Sequence, residues 1–249
     1  MNAREATATL IAAISWFGLS GCAPEPEIVI EQGTAIDHGA ALFRDPAING
    51  TIKNGYTCGT CHDVDPGASA VVRPGAAMAG VTKRVSYWGG QEVELLRAIN
   101  QCLYYFMVRY QPWTPEDTDA RAMFAYLESI SGDGTDMAPE PFTVVQDIVD
   151  LDAGDSKRGA NVFDQACAYC HGAPQTGKGR TIMGAPVLPN ETLAAHPPDK
   201  YTDLERRLVF VEKTRHGGFL GYGGRMPPFA LEKLSDAEMA DLLAFLGLY

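Results

Sequence analysis

Two pentapeptides constrain this chain more than anything else in it: Cys58-Gly59-Thr60-Cys61-His62 and Cys167-Ala168-Tyr169-Cys170-His171. In each, two thiols three positions apart are followed at once by an imidazole. That spacing suits covalent attachment of a haem c. The thiols add to the two vinyl groups on one porphyrin edge, and the His is carried under the ring as proximal iron ligand. One such pentapeptide can also serve as half of a zinc site. Two copies in one chain of 249 residues point instead to two covalently bound haem c groups. Cys58, Cys61, Cys167 and Cys170 are then the attachment points, with His62 and His171 on the irons.

The remaining cysteines carry separate information. Of six in the sequence, four belong to the pentapeptides. Cys22 closes Leu19-Ser20-Gly21-Cys22, at the end of an apolar run from Ala6 that is too short to span a bilayer and fits the core of a secretory signal. The tetrapeptide resembles the bacterial lipobox. That resemblance implies a signal peptide over residues 1–21 and a lipid on Cys22; the alternative is ordinary secretion with Cys22 free. Ala23 after the Cys implies sorting to the outer membrane in a diderm host. A Pro- and Glu-rich stretch within residues 22–34 suits an extended tether. The chain is expected in the bacterial cell envelope, facing the periplasm and anchored to a membrane rather than threaded through it. Its formal charge of −11 argues against nucleic acid and suits docking to a basic redox partner protein, or plain solubility. Cys102 is left without a partner in an oxidising compartment.

An internal repeat divides the rest. Asp37-His38-Gly39-Ala40-Ala41-Leu42-Phe43 precedes Cys58, and Asp155 to Phe163 precedes Cys167, each with Gly-x-x-x-Phe on a predicted helix. Residues 45–55 look like an insertion in the first copy. Thr114-Pro115-Glu116-Asp117 reads as a helix start with Thr as N-cap, and Ser235-Asp236-Ala237-Glu238 as a capping box. Ala122 to Leu127 then aligns with Asp241 to Leu246. These helices resemble the N- and C-terminal helices of class I cytochromes c, whose Gly lets the pair approach closely. The resemblance implies an all-α fold of two tandem cytochrome c domains, each wrapped around one haem. The expected bounds are residues 35–131 and 155–249, joined by a Gly- and Pro-marked linker over 132–154.

The sixth ligands decide what each haem does. Met226, in Gly224-Arg225-Met226-Pro227-Pro228, suits the second iron, with His216 or Lys213 as alternatives. For the first iron two residues compete. Met107 precedes Met226 by the interval that separates the matched helices, but it lacks the following Pro. Cys102 is an unpaired thiol that iron ligation would explain.

The stretch Cys-x-Tyr-x-x-Met after Ile99-Asn100, starting at Cys102, resembles the segment of dihaem thiosulfate dehydrogenases in which Cys is the distal ligand. It also resembles sulfur-oxidation cytochromes with Cys-ligated haem. The resemblance implies Cys102 on the first iron and His/Met ligation of the second. Two functions stay open. The first is single-electron transfer between envelope partners. The alternative is an oxidoreductase of thiosulfate dehydrogenase type, with Cys102 at the catalytic haem and a small sulfur anion held by bases such as Lys83, Arg84, Arg97 and Arg109. A dihaem peroxidase is weaker, since no peroxide-cleaving residues are recognisable.

Overall fold

Glycine decides how the main helices meet. The N-terminal helix α1 (Gln32–Arg44) crosses α4 (Thr118–Ser129) so closely that a Cβ on Gly39 would collide with the Ala122 carbonyl. The same device recurs between α5 (Ser156–Val162) and α9 (Asp236–Phe245), where a Cβ on Gly159 would strike the Asp241 carbonyl. Ala122 and Asp241 are the aligned positions of the repeat, so one packing solution serves both crossings. Polar bonds lock each pair. His38 meets Asp119 at 2.9 Å. Asp241, 5% exposed, accepts from the Asp155 N–H at 2.6 Å and from Arg158 Nε and a terminal nitrogen, each at 2.7 Å.

The computed structural model describes residues 32–48, 50, 54–67, 69–133, 137–218 and 224–249. The expected signal peptide, Cys22 and most of the tether lie outside these. Glu31 to Tyr249 form one unit. Between the crossings run the one-turn helix α2 (Cys58–Cys61), α3 (Leu95–Tyr105), α6 (Ala168–His171), α7 (Asn190–Ala195) and α8 (Asp203–Arg215). A π-helical turn, Phe163–Cys167, leads into α6. The fold is all-α: among the described residues there is no strand, only two isolated bridges, Arg84 with Met137 and Tyr87 with Glu92. No described helix is long and apolar enough to cross a membrane.

Two apolar clusters form the interior. One gathers Leu42, Phe43, Leu103, Phe106, Met123 and Leu127; the other gathers Phe163, Phe210, Met239, Leu242, Leu243 and Leu246. They are not sealed from each other. Ile182 and Ala185, after the second pentapeptide, are buried in the first cluster, and Val72 packs against the second.

One local expectation changes. Thr114 does not cap α4. The Asp117 carboxylate accepts from the Thr114 N–H at 2.7 Å, making 114–117 a separate turn, and Asp117 in extended backbone precedes the helix. The buried face of α4 is Ala122, Met123, Tyr126 and Leu127, with Phe124 and Ala125 only half-buried. The segment expected as a linker is bonded at many points. Met137 pairs with Lys83 and Val85, Thr143 with Leu231 and Glu232, and the Tyr249 hydroxyl with the Leu151 and Asp152 carbonyls.

Candidate haem sites

The first pentapeptide is a reciprocally capped turn. The Thr57 hydroxyl accepts from the Thr60 N–H at 3.1 Å, and Thr60 Oγ1 accepts from the Thr57 N–H at 3.0 Å. This fixes Cys58 and Cys61 on one side of a single turn. His62 leaves the helix in extended backbone, and its Nδ1 lies 2.7 Å from the Ala76 carbonyl. A carbonyl only accepts, so Nδ1 carries the proton and Nε2 presents a bare lone pair. Gly75 makes this possible: a Cβ there would overlap the imidazole. Burial holds the His62 pKa below its ordinary value, against the Ala76 hydrogen bond. The ring is therefore neutral at neutral pH, the form that binds a metal.

Cys58, Cys61 and His62 share one cavity, about 1250 Å³ when counted to its open mouth. Helix α3 supplies much of another wall through Leu95, Ala98, Ile99, Cys102, Leu103 and Phe106, the spacing of one helical face. Cys102 sits within that stripe. Met107, just beyond the helix, lines the same cavity, so both sequence candidates for the sixth ligand reach it. The Tyr87-Trp88-Gly89-Gly90 stretch supplies further wall through Tyr87 and Trp88, with Trp88 edge-on to Phe142 at 5.6 Å. Burial pushes the Cys102 thiol up to about 12, with the Cys58 sulfur adding to it. Such a thiol is inert by itself; metal ligation is what would deprotonate it.

The cavity fits a haem for a further reason. Arg84 lines it with a side chain only 5% exposed. One of its terminal nitrogens donates to the Ala77 and Ala79 carbonyls at 2.6 and 3.2 Å, but its buried Nε has no partner. Leaving such a donor unmet costs about 1–3 kcal/mol, and a haem propionate is an acceptor of the right charge. Of the four bases suggested by the sequence, Arg84 alone lines the cavity. Lys83 pairs with Glu128, Arg97 with Glu92 at 3.2 Å, and Arg109 bonds the Gln111 and Ile48 carbonyls while lying over Trp113.

The second pentapeptide repeats the proximal arrangement. Cys167 ends the π-helical turn, Cys170 and His171 lie in α6, and His171 Nδ1 donates to the Pro186 carbonyl at 2.7 Å. Burial again lowers the His pKa. Met226 packs against the second apolar cluster, and its carbonyl accepts from the Gly218 N–H at 2.8 Å. Residues 219–223 of this loop lie outside the described set. His216 is engaged at both nitrogens. Nε2 donates to the Val145 carbonyl at 2.7 Å, and Nδ1 meets Glu212 at 2.9 Å. Burial pulls its pKa down, but these two bonds outweigh it and leave it raised. It is a structural tie rather than a spare ligand. Among the described residues, no three His, Cys, Asp or Glu side chains converge as a metal-ion site.

Three residues at the junction of the sites were missed from the sequence. Tyr56 is buried and lines the first cavity. Arg225, beside Met226, donates to the Tyr104 and Tyr105 carbonyls at the end of α3 at 3.2 and 2.8 Å. Arg73 contacts both pentapeptides. Arg225 and Arg73 bind residues distant in the chain, so local pattern carries no sign of them. Pro227 and Pro228, next to Met226, line the first cavity as well.

Residues 154–246 match the family described as cytochrome C oxidase, cbb3-type, subunit III. That span includes Cys167, Cys170, His171 and Met226. No curated protein matches the sequence. Among solved structures, a thiosulfate dehydrogenase (TsdBA) from Marichromatium purpuratum, in its as-isolated form, is similar at 21% identity and a TM-score of 0.43. The match covers 90% of this chain and 48% of that one, so the chain spans about half the length of the solved relative. Over residues 154–246 the chain is similar to a cytochrome c domain, the kind of unit that holds haem c and transfers electrons.

Proposed function

We propose that the chain is a lipid-anchored dihaem cytochrome c, made of two tandem haem domains, that passes single electrons between partner proteins in the bacterial cell envelope. Cys58, Cys61 and His62 hold the first haem, with Cys102 as distal ligand and Met107 the alternative. Cys167, Cys170, His171 and Met226 hold the second. Haem supplies the one-electron Fe(III)/Fe(II) couple. The chain's residues orient the imidazoles through carbonyl hydrogen bonds, exclude water with apolar walls, and set potentials through the distal ligand and nearby charge. A thiolate ligand makes the first site the lower in potential and a thioether makes the second the higher, which gives electron flow a direction.

The observation that carries this reading is the pair of proximal histidines. Each follows its Cys-x-x-Cys turn and donates Nδ1–H to a backbone carbonyl at 2.7 Å, which leaves Nε2 for iron. Pyridine haemochrome analysis of the holoprotein should count two haems per chain; one haem would refute the proposal.

The position of Cys102 inside the first cavity favours a second reading, oxidation of a small sulfur anion at that haem. Two thiosulfate ions would join through a new sulfur–sulfur bond as tetrathionate, releasing two electrons to the haems. Arg84 is the one cation of the four named bases that lines this cavity. Turnover of thiosulfate with ferricyanide as acceptor tests this reading, and its absence from purified holoprotein rejects it.

A further inference from the structure

Arg73 occupies an unusual position for a residue of the loop after the first pentapeptide. One terminal nitrogen donates to the Thr60 carbonyl at 3.0 Å, inside the first Cys-x-x-Cys turn. Its Nε donates to Asp63, next to His62, at 2.6 Å. Its guanidinium carbon lies 5.9 Å from the ring centroid of Tyr169, inside the second Cys-x-x-Cys turn. The preceding residue reinforces this bridge: the Val72 N–H donates to the Gln165 carbonyl at 2.8 Å, just before Cys167. With its side chain only 17% exposed, Arg73 is a permanently charged group held between two attachment turns, where water screens it poorly.

We propose that Arg73 is a positioning residue shared by both haem sites, clamping the two attachment turns together and raising the potential of both haems. The inference rests on the two-haem reading above. A fixed cation stabilises the reduced state of a nearby haem, which carries one more electron. Asp63 opposes it from the first turn only, and Ser69 Oγ donates to both Asp63 carboxylate oxygens, at 3.2 and 3.1 Å. The guanidinium suits the role: two of its donors meet a carbonyl and a carboxylate while its carbon lies over an aromatic ring.

The test is spectroelectrochemical titration of the full-length holoprotein. Arg73→Gln should lower both midpoint potentials, by roughly tenfold in the reduction equilibrium, or about 59 mV for one electron. Asp63→Asn leaves the cation uncompensated and should move both potentials upward. Arg73→Lys keeps the charge and should leave both within a small fraction of that shift. A second-haem potential that stays put in both Arg73→Gln and Asp63→Asn overturns the inference, because the pair would then serve the first turn alone. So does an Arg73→Lys shift as large as that of Arg73→Gln. If Arg73→Gln does not accumulate as holoprotein, the upward shift in Asp63→Asn decides the matter by itself. Haem counting on the unsubstituted protein separates the two levels: one haem per chain refutes the dihaem reading, whereas two haems with an unmoved second potential refute only the role of Arg73.

Discussion

Replacing Gly75 by Ala tests the first haem site through a single methyl group. The added Cβ would overlap Cε1 and Nδ1 of His62. Carbon atoms pack at about 3.5–4.0 Å, so an imidazole carbon met at 2.3 Å must retreat by more than about 1 Å. The bond from His62 Nδ1 to the Ala76 carbonyl, 2.7 Å long, then stretches past the limit for a hydrogen bond. Its loss costs about 0.5–1.5 kcal/mol, and forcing a methyl into a filled site adds about 1–3 kcal/mol. A unit of this size loses roughly 2–4 °C in Tm per kcal/mol, so a fall on the order of 10 °C is expected. The axial bond should weaken as the ring loses the carbonyl that orients it. Thermal unfolding of the holoprotein, followed with visible and magnetic-resonance spectra, reads both effects. The first haem should gain high-spin character while the second stays unchanged. An unaltered Tm with an unaltered first-haem spectrum would refute the steric reasoning, and a change confined to the second haem would show that the proximal ligand had been misassigned.

Three further substitutions probe other parts of the molecule. Cys102→Ala should convert the first haem's low-spin magnetic-resonance signal while Met107→Ala leaves it in place; the reverse pattern makes Met107 the ligand. Asp241→Asn removes a carboxylate whose pKa is held below the usual range chiefly by the Arg158 hydrogen bond, then by the Asp155 N–H. That carboxylate adds stability in full above its unfolded value near 4, and the contribution is lost as pH falls through the lower folded value. Tm measured from pH 7 to pH 3 should therefore start lower in Asp241→Asn and fall less steeply than in the parent.

The parts of this structure legible in the sequence are those written in local pattern. The capping box at Ser235 forms as expected, the Ser235 hydroxyl accepting from the Glu238 N–H at 3.3 Å. Gly39 and Gly159 announce the close crossings because no other residue leaves room for a carbonyl there. The pentapeptides suit haem c because attachment chemistry needs that spacing. At the start of α4 the Asp117 carboxylate is spent on the Thr114 N–H, so the helix begins at Thr118 behind an Asp117 whose side chain caps nothing. Arg73 and Arg225 were invisible because Tyr169 and the end of α3 lie far from them in the chain. Lys83, Arg97 and Arg109 illustrate the converse: bases close to Cys102 in sequence find carboxylates, carbonyls and a ring elsewhere, and do not line the cavity.

The sequence repeat suggests two self-sufficient haem units, yet the walls of the first cavity qualify that picture. Glu140 and Phe142, from the strap between the repeats, line it together with Pro227 and Pro228, from the loop that carries Met226. Phe142 also buttresses Trp88 edge-on, and its carbonyl lies against Gly89, where a Cβ would meet it at 2.9 Å. Arg225 caps the end of α3, the helix that carries Cys102. A chain ending at Ser131 would keep Cys58, Cys61, His62, Cys102 and Met107 while losing all of these supports. Its haem should remain covalently attached, because that requires only the first pentapeptide. The crevice should admit water and the distal bond should become labile, seen as exogenous imidazole or cyanide binding faster than at the first haem of the full chain. Equal ligand-binding rates and an equal midpoint potential in the two forms would mean that the strap and the Met226 loop only cover the first site. Unequal ones would mean that the second half of the chain helps to set the chemistry of the first.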